Sequence, residues 1–179
     1  MDAALKAMSQ PPTARHFVPP PGGRPERPRA SNVMGTFAHH PDLAQAFFSF
    51  NSHVLYGTTL TIRQRQVVIL RVAAVRKSRY LWLQHQAYKG DAALTDQDVA
   101  RIAFGPLAPG LDDLDSALLS AVDELITDGR IGRETWAALS SELDVRQLID
   151  VMFTVSCYEA VARMCDSFQL DLETDVPGQ

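Results

Sequence analysis

The sequence predicts an all-α protein, an orthogonal bundle of helices. Apolar residues recur at spacings of three and four from about residue 31 onward, and no segment shows the alternation of a half-buried strand. No heptad repeat is sustained, which argues against a long coiled coil. At 179 residues and 46% hydrophobic content, the chain is long and apolar enough to bury the core of one domain.

Three regions are predicted along the chain. Seven of the eleven prolines lie within residues 11–28, so residues 1–30 form a proline-rich arm that is extended or irregular. This arm either wraps around a folded body or is a loose leader. Residues 31–170 are predicted to be the helical domain, and residues 171–179 a C-terminal tail.

The first helices follow from capping residues and apolar spacing. Pro41 is placed to begin a helix with an aromatic face, which breaks near Gly57. Residues 62–76 form a helix that is apolar on nearly every side and is therefore expected to be buried. Its β-branched residues would also suit a strand, but its length favours a helix. Ser78 is expected to cap the next helix, which continues toward Gly90.

The second half repeats this pattern with fewer distinctive residues. Thr95 is expected to cap a short helix that stops before Gly105. Further helices are predicted over residues 113–127, 133–143 and 145–168. The two cysteines, Cys157 and Cys165, lie on the last of them, eight residues apart, and are interpreted as buried core thiols.

Composition and charge exclude several classes of function. A net charge of −4 without a basic stripe argues against a nucleic-acid or anionic-membrane partner. The longest apolar runs fall far short of the roughly 20 residues that span a bilayer. No secretory hydrophobic region or disulfide framework is present, so a cytoplasmic location is expected.

Metal and nucleotide sites are not expected either. The histidines, His16, His39, His40, His53 and His85, include no pair at the four-residue helical spacing of a zinc site. No glycine-rich loop could cradle a phosphate. We therefore expect no metal and no cofactor, and a small-molecule substrate as the partner.

The residues suited to chemistry gather around His85. On a helix its imidazole would share a face with Leu81 and Ser78 and lie close to the ring of Trp82. An imidazole in such an apolar setting can act as a general acid or base. A structural histidine is the competing interpretation, and Tyr80 is either a second acid or a packing residue at the helix start.

The pattern Tyr80-x-Trp82-x-x-His85 and the run from Arg63 to Pro106 resemble the carboxymuconolactone decarboxylase family, which includes the alkyl hydroperoxide reductase D-like peroxidases. The resemblance covers roughly residues 30–170 and implies an all-α fold that assembles into dimers, trimers or hexamers. In the peroxidase branch two cysteines and a glutamate stand where this chain has Ser78, Leu81 and Gln66. Gln64 likewise replaces a glutamate of many relatives, so thiol chemistry and a Glu–His proton relay are not expected.

These observations predict a cofactor-independent acid/base enzyme of decarboxylase, lyase or isomerase type, acting on a small organic acid, lactone or conjugated carbonyl compound. His85 would carry the proton, with Tyr80 and Gln66 as further catalytic candidates. Candidates for substrate binding are Trp82, Arg65, Phe47, Phe50, His53, Ser78 and Leu81. Arg71 is either a carboxylate contact or half of a structural ion pair. The alternatives are a non-catalytic binding or assembly protein and, least favoured, a peroxidase.

Overall fold

The computed structural model describes residues 31–173, and every regular element there is helical. The eight α-helices are α1 (Ser31–Phe37), α2 (Pro41–Ser52), α3 (Ile62–Arg76), α4 (Arg79–Gln86), α5 (Asp96–Phe104), α6 (Asp113–Thr127), α7 (Arg133–Glu142) and α8 (Val145–Ser167), with a π-helical turn (His53–Gly57) after α2. The predicted all-α class is confirmed. The proline-rich arm and residues 174–179 lie outside the described residues. Between residues 31 and 173 no helix is both long and apolar enough to cross a membrane.

Helix α3 is the centre of the bundle. It packs against α4, α5, α6 and α8. Its residues from Val67 to Val72 are buried, and five of those six, all but Arg71, are 0% exposed. Burial of a valine, leucine or isoleucine side chain contributes about 1.5–3 kcal/mol, so this segment is a main source of the domain's stability. The helical prediction for residues 62–76 is confirmed.

Local capping sets most helix boundaries. Thr61 and Gln64 form a capping box at the start of α3, in which the Gln64 Oε1 accepts from the Thr61 N–H at 2.9 Å. Thr95 caps α5 as predicted, accepting from the Asp98 N–H at 3.1 Å. Gln64 therefore has a structural role at the N-terminus of α3, because its amide oxygen completes the capping box.

The prediction that the Ser78 side chain caps α4 is wrong. Ser78 does occupy the N-cap position of α4, but its side chain makes no capping bond. Its hydroxyl donates instead to the Asp166 Oδ1 of α8 at 2.8 Å. The side chain is therefore turned toward α8 and does not accept from the first backbone N–H groups of α4. Helix α4 also ends at Gln86, short of the expected Gly90.

Arg71 fixes α3 to α6 and to the end of α5. Its Nε and Nη2 donate to the two carboxylate oxygens of Asp123 at 2.7 and 2.6 Å. Its Nη1 donates to the carbonyls of Ile102 and Ala103, both at 3.0 Å. A Cβ at residue 105 would lie 2.7 Å from the Arg71 Nη2, and Gly105 has a φ of +117°, so only glycine fits there. Of the two roles considered for Arg71, its contacts are those of the ion pair.

Aromatic rings join the N-terminal helices to the body. Phe37 of α1 stacks on Phe47 of α2 with ring centroids 4.7 Å apart, and Phe48 meets Phe37 edge-on at 5.1 Å. Phe50, farther along α2, packs edge-on against Phe153 of α8 at 6.1 Å. Phe50 and Phe153 are 37% and 53% exposed, so this second contact lies at the surface.

Candidate functional site

Gln66 of α3 holds the imidazole of His85 in one orientation. The Gln66 Nε2 donates to the backbone carbonyl of His85 at 2.5 Å, and its Oε1 lies 3.2 Å from the His85 Nδ1. Because the amide nitrogen is engaged by the carbonyl, the amide oxygen faces the ring and can only accept. The Nδ1 therefore carries the hydrogen, and the Nε2 keeps its lone pair. This arrangement gives His85 the tautomer of a base that accepts a proton at Nε2.

Tyrosine rings surround His85. The ring of Tyr158, from α8, meets the imidazole at a centroid distance of 5.0 Å and an angle of 88°. Tyr88, just after α4, lies 5.8 Å away. The expected neighbour, Trp82, makes no ring contact with His85 in the described part of the chain and packs against the core instead. Residues three apart on a helix diverge by about 60°, which leaves room for Tyr158 to approach from α8.

Two effects keep His85 neutral. Burial among protein atoms lowers its pKa to about 3, and the positive charge of Arg65 contributes in the same direction. Desolvation disfavours the charged imidazolium, and a nearby cation repels it. At neutral pH the side chain is therefore an uncharged imidazole, a proton acceptor weaker than an ordinary histidine.

Arg65 has no acidic partner among residues 31–173. Its Nη1 donates to the carbonyl of Leu55 in the π-helical turn at 2.5 Å. Its Nε is buried and has no hydrogen-bond partner. The ion pairs within residues 31–173 do not include Arg65, whereas the nearby Arg63 pairs with Asp115 at 2.6 Å. A buried donor left unsatisfied costs about 1–3 kcal/mol, so the position of this Nε lowers the stability of the fold.

The hydroxyl of Tyr80 is hydrogen-bonded to Glu173 and not to His85. It donates to the Glu173 Oε1 at 2.7 Å, and burial together with this bond raises the pKa of Tyr80. The Gln84 amide and the Asn32 N–H also bond to the Glu173 carboxylate. Tyr80 and His85 are five residues apart, which is about 140° around a helix. The structure therefore places these two candidates in separate networks.

Glu173 was not predicted as a functional or structural residue. It lies in the segment assigned to the tail, yet it is only 4% exposed. Three donors converge on its carboxylate, from α1 and α4. The local sequence around residue 173 contains no signal for this burial, because it depends on how the chain turns back after α8.

The positions that carry cysteines in the peroxidase branch are occupied here by side chains without a thiol. Ser78 is fully buried and bonded to Asp166, and Leu81 is a core residue at 3% exposure. Cys157 and Cys165 are free and buried, which confirms the prediction of core thiols. Burial raises the pKa of Cys157, and burial with the negative charge of Asp166 raises that of Cys165 to about 12. Both are therefore thiols, not reactive thiolates, at neutral pH.

The remaining predicted binding residues lie apart from the imidazole. Phe47 belongs to the aromatic cluster with α1, and Phe50 packs against Phe153 at the surface. His53 is exposed at the start of the π-helical turn, where its charge acts on Asp150. The structure therefore brings together His85, Gln66 and Arg65, and distributes the other candidates over neighbouring surfaces.

Asn51 and Tyr158 are site residues that sequence reasoning missed. Tyr158 is 4% exposed and faces His85 from α8. The Asn51 amide donates to the Cys157 Sγ at 3.4 Å and also acts to lower the pKa of Tyr158. The only available signal was a tyrosine next to a cysteine on an otherwise apolar helix, which is too weak to distinguish a site residue from core. Within residues 31–173 no group of three or more histidine, cysteine or acidic side chains is arranged to hold a metal.

Comparison with known proteins gives the fold. No family model matches the chain, and no curated protein matches it. A solved structure from Agrobacterium tumefaciens, a protein of unknown function named as a candidate antioxidant defence protein AhpD, superposes with a TM-score of 0.71 at 14% identity, covering 78% of this chain and 97% of that one.

Two further solved structures agree with it. The alkylhydroperoxidase AhpD core of a peroxidase-related protein from Ralstonia eutropha JMP134 gives a TM-score of 0.71 at 18% identity, over 80% of this chain and 77% of that one. A peroxidase-related protein from Silicibacter sp. TM1040 gives 0.73 at 16% identity, over 82% and 78%. All three have the AhpD-like fold that the sequence predicted. At these identities the likeness extends to the fold alone. The chain is therefore an all-α protein with the fold of the AhpD core.

Proposed function

We propose that this protein is a cofactor-independent acid/base enzyme, of decarboxylase, lyase or isomerase type, with His85 as the proton carrier. Its substrate would be a small organic acid, lactone or conjugated carbonyl compound. The observation that carries the proposal is the neutral His85, whose Nδ1–H is held by Gln66 so that its Nε2 is free to accept a proton.

The reaction would pass through an enolate. In an isomerisation, His85 Nε2 takes a proton from the carbon next to a carbonyl, and the C–H electron pair moves into the enolate. The imidazolium then returns the proton to another carbon of the conjugated system. In a decarboxylation, the neutral His85 would first take up a proton from solvent as the substrate carboxylate binds; the electron pair of the broken C–CO₂ bond would then form the enolate as CO₂ leaves, and the imidazolium would deliver its proton to carbon. Arg65 would stabilise the negative oxygen, and Gln66 would act as a positioning residue for the imidazole.

Peroxide reduction is a weaker proposal for this chain, although two structural neighbours are named as peroxidase-related. It requires a thiolate, and usually a second thiol to resolve the oxidised product. Ser78 and Leu81 supply neither, and the pKa values of Cys157 and Cys165 are raised by burial. The site therefore favours proton transfer over thiol chemistry.

A non-catalytic binding or assembly protein is the second candidate. The close packing of Tyr158 and Tyr88 against His85 favours it, because a site filled by protein side chains leaves less space for a substrate. The exposed pair Phe50 and Phe153 would then contribute to a homo-oligomer, as a dimer, trimer or hexamer.

Proton NMR in heavy water distinguishes the two candidates. The wild type and His85→Ala would each be incubated with a panel of carboxylated lactones and unsaturated keto acids. The enzyme predicts deuterium uptake or loss of carboxylate with the wild type and neither with His85→Ala. His39→Ala, which changes an exposed histidine, is the matched control and should behave as the wild type. Turnover that persists in His85→Ala would refute the proposed role, and silence of the wild type over the whole panel would favour the binding protein.

A further inference from the structure

We propose that Arg65 and Tyr158 form a binding site for a small carboxylate beside His85, and that the carboxylate and one proton bind together, the proton at the His85 Nε2. This inference rests on the proposed function, because it concerns the same site and adds the ligand class and the coupling. It also assigns a role to Tyr158, Asn51 and the π-helical turn. Acetate binding tests it separately, since acetate has no conjugated carbonyl on which the enzyme could act.

The free edge of Arg65 fits a carboxylate. A guanidinium presents parallel N–H groups along its Nε–Nη2 edge, and a carboxylate accepts from both at once. In Arg65 the Nη1 is used by the Leu55 carbonyl, whereas the Nε has no partner. The described residues offer neither an ion pair nor a hydrogen bond to the Nη2. The edge that remains is the one that binds a carboxylate side-on.

Tyr158 supplies a neutral donor next to this cation. The ring of Tyr158 lies 5.0 Å from that of His85, and Arg65 directly precedes Gln66, which contacts the imidazole. The charge of Arg65 lowers the pKa of both His85 and Tyr158. Burial raises the pKa of Tyr158, so its hydroxyl stays protonated and can donate to an anion. The Asn51 amide, which donates to the Cys157 Sγ, acts on this hydroxyl from the side of α2. One cation and one neutral donor are a suitable pair for a single negative charge.

The π-helical turn gives the ligand a way in. The Arg65 Nε is shielded from solvent, so a ligand can reach it only if a neighbouring group moves. The Leu55 carbonyl, which holds the Nη1, belongs to the turn His53–Gly57. Tyr56 in the same turn is 84% exposed. Single π-helical turns are frequent at functional sites. Movement of this turn would expose the free Nε–Nη2 edge of Arg65 to the carboxylate.

Charge balance explains why a proton accompanies the anion. Among the described residues, the charged or titratable groups that face His85 or its neighbouring ring are Arg65 from α3, Tyr158 and Cys157 from α8, Tyr88 after α4, and Tyr56 from the turn. Arg65 is the positive charge that opposes protonation of the imidazole. An anion on Arg65 offsets that repulsion, so the pKa of His85 rises when the ligand binds. Burial, the larger cause of the low pKa, still opposes protonation, so the proton uptake should grow as the pH falls.

Calorimetry with acetate tests the proposal. The full chain would be titrated with sodium acetate against sodium chloride of equal ionic strength, in two buffers with different ionisation enthalpies. A heat that differs between the buffers measures the protons taken up. We expect proton uptake with the wild type and, for Arg65→Gln, a Kd raised about tenfold or more, because a charge-assisted bond contributes about 1.5–3 kcal/mol. Arg65→Lys keeps the charge but loses the planar fork, so its Kd should lie between the two.

Matched variants separate the contributions of Tyr158 and His85 to acetate binding and proton uptake. Tyr158→Phe removes one hydroxyl and should weaken acetate binding several-fold, whereas His85→Gln should keep binding and lose the buffer-dependent heat. Arg146→Gln makes the same charge change at an exposed position on α8 and is the control. Circular dichroism and thermal unfolding would confirm that each variant folds. The proposal is overturned if the wild type binds no acetate, if Arg65→Gln binds it as tightly as Arg146→Gln, or if binding takes up no proton. Acetate binding with proton uptake but no turnover of any substrate would support the site and contradict the enzyme.

Discussion

Replacement of His85 by glutamine should flatten the pH dependence of stability on the acid side. The pKa of His85 is about 3 in the folded protein, against 6.5 for an ordinary histidine. Between these two values the unfolded chain binds a proton that the native state does not. The free energy of unfolding therefore falls as the pH decreases below 6.5, at about 1.4 kcal/mol per pH unit.

The size of this effect follows from the two pKa values. Relative to pH 8, His85 should cost the native state about 2 kcal/mol at pH 5 and about 3 kcal/mol at pH 4. Glutamine cannot titrate, and its amide can still donate to the Gln66 Oε1. His85→Gln should therefore lack this part of the acid destabilisation, although its stability at pH 8 differs from that of the wild type.

Urea unfolding at a series of pH values measures the difference directly. The wild type, His85→Gln and His39→Gln would be compared, since His39 is an exposed histidine. We expect His39→Gln to follow the wild type and His85→Gln to lose less stability than either as the pH falls. If all three curves had the same slope between pH 6.5 and 4, His85 would not be held neutral by its surroundings, and the reasoning would be refuted.

Three further predictions concern the framework of the site. Asp123→Ala leaves the guanidinium of Arg71 buried without its carboxylate and should lower the free energy of unfolding by about 3–5 kcal/mol, as measured by urea unfolding; a loss below 1 kcal/mol would contradict the pairing. Tyr80→Phe removes a donor from the buried Glu173 carboxylate and should cost about 1–3 kcal/mol, while acetate binding at His85 stays unchanged. The thiol of Cys157 should react with a thiol reagent such as dithionitrobenzoate only as fast as the protein opens; rapid labelling under native conditions would contradict its burial.

The helices could be predicted because their signals are local. Thr61 and Thr95 each stand three residues before a side chain that completes a capping box, and both bonds are present in the structure. The long apolar run of α3, interrupted only by Arg71, indicated a buried helix, and this segment lies at the centre of the bundle. In these cases the information needed was contained within a few neighbouring residues.

The site was only partly predictable, because its partners come from distant segments. The Gln66–His85 pair joins two adjacent helices, and the resemblance to a known family had already singled out both residues. Tyr158 reaches the imidazole from α8, and Glu173 binds Tyr80 from beyond it. The local sequence contains no signal for either contact. The separation of Tyr80 from His85, by contrast, follows from their spacing of five residues on one helix and was open to prediction.

The most direct test of the account is the protonation state of the His85 ring. Long-range ¹⁵N–¹H correlation spectra at pH 7, assigned by comparison with His85→Gln, report separately on Nδ1 and Nε2. We predict a neutral ring with the hydrogen on Nδ1 and an unprotonated Nε2, as the bond to Gln66 requires. A ring protonated at both nitrogens, or a neutral ring with the hydrogen on Nε2, would contradict the claim that His85 is held ready to accept a proton.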